Sequence, residues 1–189
     1  SHSIPGSIPS KGDCMAHLYT IGHSTRSFEE FLGLLREHGI RIVADIRRWP
    51  SSRRNPHFNR ESLARALRSH CIEYEWLGEQ LGGWRKDGLG EGSPNKAWRS
   101  EGFRNYADYT MTASFEEGVR RLLELASRGR VVVMCAEKFH WRCHRLILSD
   151  YLTAKGHSLT HIIDGGETRA HELTRFAEVA NGELRYPGP

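Results

Sequence analysis

Short apolar runs rich in β-branched residues alternate along the chain with segments whose apolar positions recur every three or four residues. The first pattern predicts buried strands and the second predicts amphipathic helices. The expected strands cover residues 17–21, 40–46, 71–77, 130–135 and 158–163. The expected helices cover residues 27–39, 60–69, 103–109, 115–126, 143–154 and 172–180.

The alternation of strands and helices predicts the fold class. Successive βαβ units with right-handed crossovers build a parallel sheet that helices cover on both faces. We therefore expect an α/β single-domain, three-layer sandwich over residues 16–189, with a mostly parallel central sheet of about five strands. Residues 1–15 are expected to be a disordered leader or a cloning remnant. A polar loop at about 84–100 is longer than most, which favours a binding loop or a lid.

Composition narrows the class of protein further. No run of 18 apolar residues occurs, so no membrane partner is expected. The formal net charge is +4, and 22 of the 27 basic residues are arginines, which suit bidentate recognition of phosphate or carboxylate. The four cysteines do not form a secreted disulfide framework, and the first residues lack the apolar core of a signal peptide. A cytoplasmic location is therefore expected, while the oligomeric state is left open.

Polar and reactive residues collect where the predicted strands end. In an open α/β sheet the ligand site lies outside the carboxyl ends of the strands. The sequence therefore predicts an anion-binding pocket at that edge of the sheet. The residues delivered to it are His23, Ser24, Thr25, Asp45, Arg47, Arg48, Cys135, Glu137, Cys143, His144 and Arg145.

Cys135 is the candidate nucleophile of this pocket. It ends an apolar strand, where a lone cysteine is either a buried hydrophobe or a reactive thiol. Five basic residues follow it within ten positions, and positive surroundings favour the thiolate. Cys143 lies beside a predicted helix start, where the helix dipole lowers the pKa of a thiol. The two cysteines could also form a redox pair.

The same segment offers four metal ligands, namely Cys135, His140, Cys143 and His144. Their spacing matches no common structural zinc pattern, and the adjacent Cys143 and His144 would point apart on a helix. No metal and no other cofactor is therefore expected.

The other candidate residues are assigned by charge and hydrogen-bonding capacity. Glu137 and Asp45 are candidates for acid–base catalysis, the alternatives being a solvated acid and a structural anchor. His23 could orient a carboxylate or relay a proton. Trp84 and Trp98 could wall a pocket for a flipped base. The residues expected to bind substrate or phosphate are Ser24, Thr25, Arg47, Arg48, Cys143, His144, Arg145 and Trp84.

Four motifs carry a resemblance to a known family. They are Tyr19–Thr25, Asp45-x-Arg47 with Pro50-x-Ser52, Leu81–Gly83, and Cys135–Glu137 followed by Cys143–Arg145. Over about residues 18–163 the chain resembles the family catalogued as domain of unknown function 488. The resemblance implies that these motifs define the family's pocket, and it implies no reaction.

A second resemblance is carried by the strand ending in Asp45-x-Arg47, the strand leading to Cys135, and the Gly165-Gly166 turn. These segments are similar to rhodanese-like sulfurtransferases, which implies that Cys135 is a nucleophile that carries sulfur. The short loop that follows the cysteine in those enzymes is replaced here by the longer segment 136–142.

Three functions compete on the sequence alone. The first is an enzyme that acts on a nucleic acid or nucleotide, with a base-processing or DNA repair activity such as that of a glycosylase. Its expected partner is DNA or RNA, because basic residues interleave with aromatics between residues 41 and 60. The second is a cysteine-centred sulfurtransferase or redox enzyme. The third is a non-catalytic nucleic-acid-binding module.

Overall fold

The computed structural model describes residues 15–189, and the expected leader lies outside them apart from Met15. Its central sheet contains six strands: β1 His17–Gly22, β2 Ile42–Asp45, β3 Glu73–Trp76, β4 Val131–Cys135, β5 Ser158–Asp164 and β6 Glu167–Ala170. Their order across the sheet is β3-β2-β4-β1-β5-β6. All neighbours pair in parallel except β6, which is antiparallel to β5. The predicted α/β class with a mostly parallel sheet is confirmed.

Helices cover both faces of this sheet and make it the middle of three layers. One face carries α1 Phe28–Glu37 and α2 Arg60–Ser69. The other face carries α3 Gly78–Leu81, α4 Glu101–Tyr109, α5 Ala113–Arg128 and α6 Arg145–Ala154.

The side-chain alternation of β4 decides where Cys135 points. Val131 and Val133 pack towards α4, α5 and α6, whereas Val132 and Met134 pack towards α1 and α2. Successive side chains of a strand point to opposite faces, and a parallel sheet buries both. Cys135 is therefore on the α6 side, where it meets the residues at the start of that helix.

The C-terminal helix predicted over residues 172–180 is wrong. The side chains of this segment are mostly exposed, so a helix here would have no apolar face to bury. Instead β7 Glu178–Ala180 and β8 Glu183–Arg185 form an antiparallel hairpin. The turn between them is Asn181-Gly182, and both residues have positive φ, as a tight hairpin turn requires.

The sixth strand, β6, is also absent from the sequence prediction. All four of its residues are exposed, so it lacks the alternating apolar pattern that reveals a strand. Among the described residues, no helix combines the length and the apolar character needed to cross a membrane.

Candidate active site

A cavity of about 380 Å³ opens at the carboxyl edge of the sheet, with Cys135 on its wall. We call it the cysteine pocket. It brings together seven of the residues that the sequence predicted, which are Arg47, Arg48, Trp84, Cys135, Glu137, Cys143 and His144. Its other lining residues are Trp49, Ser51, Gly83, Ala136 and Arg142. With three arginines and a single carboxylate, the pocket suits an anionic ligand.

The Cys135 thiol lies within contact of a guanidinium and of a second thiol. Arg145 Nε donates to Cys135 Sγ at 3.0 Å, and Cys143 Sγ is 3.3 Å from the same sulfur. Cys135 is only 3% exposed, and the cysteine pocket is its route to a ligand. The two sulfurs are unbonded but need to move only a little over 1 Å to reach disulfide distance.

These contacts shift the pKa values of the two thiols in opposite directions. Burial raises the pKa of Cys135, but the hydrogen bond from Cys143 and the charge of Arg145 outweigh it and lower the pKa to about 6. Burial and the neighbouring Cys135 raise the pKa of Cys143 well above its ordinary value. The expected lowering of the Cys143 pKa by the helix dipole is thus outweighed. At neutral pH the pair is a Cys135 thiolate that accepts a hydrogen bond from a Cys143 thiol.

Arg145 is committed to the protein interior and not to the pocket. It is 1% exposed, Nη1 donates to Thr20 Oγ1 at 2.8 Å, and Nη2 donates to the Glu137 carbonyl at 2.6 Å. The sequence expects Arg145 to hold a phosphate, and this expectation needs correction, because the residue does not line the cavity. Its position suits it to stabilise the Cys135 thiolate.

The loop after Cys135 lies against the end of β1. A Cβ added to Gly22 would come within 1.7 Å of the Glu137 carbonyl oxygen, so only glycine permits this approach. The approach lets the Glu137 carbonyl accept from Arg145 while the Glu137 side chain lines the pocket. Glu137 is the only carboxylate among the lining residues and keeps its predicted candidacy as an acid or base.

Asp45 and His23 anchor the pocket floor. Arg47 Nε and Nη2 donate to the two oxygens of Asp45 at 2.9 and 2.7 Å, and Tyr74 Oη donates to Oδ2. His23 Nδ1 bonds the Ser24 carbonyl at 2.8 Å, and Nε2 lies 3.3 Å from Arg47 Nη1. Burial lowers the pKa of His23 to about 4 and keeps it neutral.

The polar side-chain atoms of Asp45 and His23, two of the candidate catalytic residues, therefore have partners within the protein. Asp45 is 0% exposed and lines neither cavity, whereas His23 is 3% exposed and lines a second cavity beside the cysteine pocket. Asp45 is therefore placed to position Arg47, which corrects its expected catalytic role, and the role expected for His23 stays a prediction. The sequence offered a structural anchor as the alternative role of Asp45, but it carried no signal for Tyr74, which completes this network.

His144 is the one histidine on the wall of the cysteine pocket. Its Nε2 donates to the Ile46 carbonyl at 3.3 Å, and burial lowers its pKa to about 4. The other ring nitrogen, Nδ1, faces Gly83, whose added Cβ would lie 2.9 Å away. Neutral His144 thus turns an acceptor nitrogen towards the Gly82-Gly83 segment.

Ser24 and Thr25 line a neighbouring cavity of about 340 Å³, together with Arg53 and Arg54. This second cavity shares Ala136 and Glu137 with the cysteine pocket. Ser24 and Thr25, which the sequence predicts to bind phosphate, therefore lie in a cavity beside the cysteine pocket and not in that pocket.

Two exposed tryptophans stand at the mouth of the cysteine pocket. Trp49 is 62% and Trp84 78% exposed, and their ring centres are 6.5 Å apart. Arg48 lies over the Trp49 ring, with its guanidinium carbon 5.6 Å from the ring centre. Trp84 has a φ of +63°, a left-handed backbone conformation that is strained for a bulky residue. Strained residues of this kind are found most often at functional sites.

The part of the predicted binding loop that follows Trp84 packs against the rest of the fold. Trp98, expected as a second pocket wall, is only 8% exposed and packs in the core against Phe103, Phe176 and Tyr186. Asp108 fixes the middle of the loop by accepting from Ser93, Asn95 and the Leu89 amide. The expectation of a lid over 84–100 is therefore corrected, and Trp84 at its start is the part that reaches the pocket.

The fold and the pocket define an α/β protein with two adjacent cysteines at the carboxyl edge of its sheet. The chain belongs to the family described as Domain of unknown function DUF488, whose model matches residues 27–152, more than half of the chain. The resemblance to that family is confirmed, whereas the resemblance to rhodanese-like sulfurtransferases stays a prediction. Comparisons with curated proteins and with solved structures found no match.

Proposed function

We propose that the protein is a cysteine-dependent sulfurtransferase in which the Cys135 thiolate accepts sulfur from an anionic donor. The observation that carries the proposal is the 3.0 Å contact between Arg145 Nε and Cys135 Sγ beside a cationic cavity. A guanidinium held against a buried sulfur favours the thiolate, which is the nucleophilic form. Arg48 and Arg142 supply the positive charge that an anionic sulfur donor requires, while Arg47 is paired with Asp45.

The transfer balances with thiosulfate as the donor. The Cys135 thiolate attacks the outer sulfur, the S–S bond of thiosulfate breaks, and sulfite leaves with the electron pair. Cys135 then carries a persulfide anion. An acceptor thiolate takes the outer sulfur and regenerates the Cys135 thiolate.

Cys143 offers a second way to discharge the persulfide. Its sulfur lies 3.3 Å from Cys135 Sγ and stays protonated because its pKa is raised. As Cys143 passes its proton to the outer sulfur, the Cys143 sulfur attacks the inner sulfur, the Cys135–Cys143 disulfide forms and hydrosulfide leaves. A reducing dithiol must then reopen this disulfide and become a disulfide itself, so the proposal includes the cytoplasmic location that the sequence predicts.

We expect thiosulfate to add one sulfur atom to Cys135. Mass spectrometry of the intact protein and of its peptides will detect the persulfide. Cys135→Ser will show none, and Cys143→Ser will accumulate more than the wild type because the internal discharge is lost. Cys71→Ser removes an exposed thiol and is the matched control. Absence of added sulfur in both the wild type and Cys143→Ser, with thiosulfate and with a small persulfide donor, contradicts the proposal.

Alkylation of Cys135 by iodoacetamide should depend on pH with a midpoint near 6. A lowered pKa means that the thiolate forms as the pH rises through about 6 and is complete by neutral pH. An ordinary thiol titrates near 8.5. Peptide mapping after timed alkylation between pH 4 and 10 measures the midpoint for Cys135. A midpoint above 8 would remove the basis for a preformed thiolate.

The exposed tryptophans favour a second candidate function, an enzyme that acts on a nucleic acid or nucleotide. Bases stack on exposed aromatic rings, and Arg48 beside Trp49 would meet a phosphate. Under this proposal Glu137 acts as the acid or base, and Cys135 is not required.

Binding of fluorescent single-stranded DNA and RNA across a salt series tests this candidate. We expect the affinity to fall with salt and Trp84→Ala to weaken it about tenfold, since loss of one stacked base costs about 1–3 kcal/mol. Trp141→Ala removes an exposed tryptophan outside the pocket and is the control. No binding at low salt would exclude the nucleic-acid function.

A further inference from the structure

Three histidines meet on the far side of Thr20 from Cys135. His140 belongs to the turn after the Cys135 loop, His161 to β5, and His171 follows β6. One ring nitrogen of each lies within 4.8 Å of those of the other two. His161 and His171 lie outside the residues that the family model matches.

The hydrogen bonds around this cluster leave nitrogens facing one another. His171 Nε2 donates to Asp150 Oδ1 at 2.8 Å, and His161 Nδ1 bonds Thr20 Oγ1 at 2.6 Å. The other two nitrogens of these rings, His161 Nε2 and His171 Nδ1, are hydrogen-bonded to each other at 2.7 Å, a bond that a metal ion would replace. The His140 ring is stacked parallel on His161 at 3.6 Å, and its buried Nδ1 has no partner among the described residues.

We propose that His140, His161 and His171 form a binding site for a divalent transition metal ion of the zinc class. Three imidazoles from separate elements are a common zinc ligand set, which leaves a fourth position for water or another ligand. The Asp150 carboxylate behind His171 is the outer partner that orients a metal-binding imidazole and offsets the charge of the ion.

Metal binding requires neutral imidazoles, since each ligand nitrogen must offer a lone pair. Coordination through His161 Nε2 requires the ring proton on Nδ1, where Thr20 Oγ1 can accept it. Tetrahedral ligands at about 2.0–2.1 Å from zinc are about 3.3 Å apart, so the His161 and His171 nitrogens need to separate by roughly 0.6 Å. The His140 ring must also turn out of its parallel stack on His161, because a ring nitrogen binds a metal in the plane of its ring.

The proposed site differs from the metal ligand set that the sequence offers around Cys135. That ligand set combined Cys135, Cys143, His140 and His144, and only His140 is common to both. The new site stands independently of the sulfur transfer proposed for Cys135. It is connected to that pocket through Thr20, which bonds both His161 and Arg145.

Titration of the full chain with Co²⁺ and then Zn²⁺, after dialysis against a chelator, tests the proposal. We expect one equivalent of Co²⁺ to give the visible absorption of a tetrahedral site, and Zn²⁺ to displace it and raise the Tm. His140→Ala and His171→Ala should each weaken Zn²⁺ binding about 100-fold or more, since even loss of an outer partner costs 10–100-fold. His70→Ala is the matched control, because the His70 ring contacts Arg36 and does not belong to the three-histidine cluster.

The double variant Cys135→Ser/Cys143→Ser separates this site from the thiols. It should keep the cobalt spectrum and the Zn²⁺ affinity of the wild type. Binding that disappears in the double variant assigns the metal to the thiols and overturns the proposal. Undiminished binding in His140→Ala, whose partly exposed side chain makes it the least disruptive substitution, overturns it as well.

Discussion

In Arg145→Gln, the pH midpoint of Cys135 alkylation is expected to rise by about two units or more, from about 6 towards that of an ordinary thiol. The substitution removes the charge and the Nε donor that favour the thiolate and leaves the burial that opposes it. At pH 6 a two-unit rise lowers the thiolate population about 50-fold. The alkylation rate falls less, by about five- to tenfold, because a more basic thiolate is intrinsically more nucleophilic. Timed alkylation with peptide mapping measures both quantities.

Arg145→Lys is the control for this result. It keeps a positive charge but not the guanidinium geometry that serves Cys135, Thr20 and the Glu137 carbonyl together. We expect an intermediate midpoint. Circular dichroism and thermal unfolding establish that each variant is folded at the assay temperature. An unchanged midpoint in folded Arg145→Gln would show that the guanidinium does not set the acidity of Cys135.

The strands and helices that bury apolar residues could be predicted from the sequence. The exposed strands could not be predicted, because they carry no apolar pattern. The buried strand β4 is Val131–Cys135, an apolar run that only a strand buried on both faces explains. The segment 172–180 has residues of fair helix propensity, but propensity alone does not hold an unpacked helix. The Asn181-Gly182 pair was the sequence signal for the hairpin found there, and the helix prediction overlooked it.

The gathering of site residues at one sheet edge was predictable because parallel strands all end on the same side. Which of them contact each other was not. Arg145 turns inward to Thr20, 125 positions away, and Tyr74 completes the Asp45 network from 29 positions away. Spacing along the chain carries no signal for such pairs. The meeting of His161 and His171 likewise depends on β6, a strand that the sequence pattern does not reveal.

Replacing Arg47 by alanine is expected to destabilise the fold by about 3–5 kcal/mol, because it leaves the Asp45 carboxylate buried without its counter-ion. Asp45 is 0% exposed, so water cannot replace the two side-chain hydrogen bonds that Arg47 donates. Urea unfolding of the wild type and the variant gives the difference in free energy. Arg48→Ala, at the adjacent half-buried position, should change it by less than about 1 kcal/mol.

A double-mutant cycle then distinguishes an unpaired charge from lost packing. If the cost of Arg47→Ala comes from the isolated carboxylate, Asp45→Asn should recover part of it in the double variant. Loss of packing alone predicts that the two single effects add. An Arg47→Ala variant as stable as Arg48→Ala would mean that the ion pair does not hold the pocket floor. Arg47 would then be free to bind a ligand, as the sequence predicts.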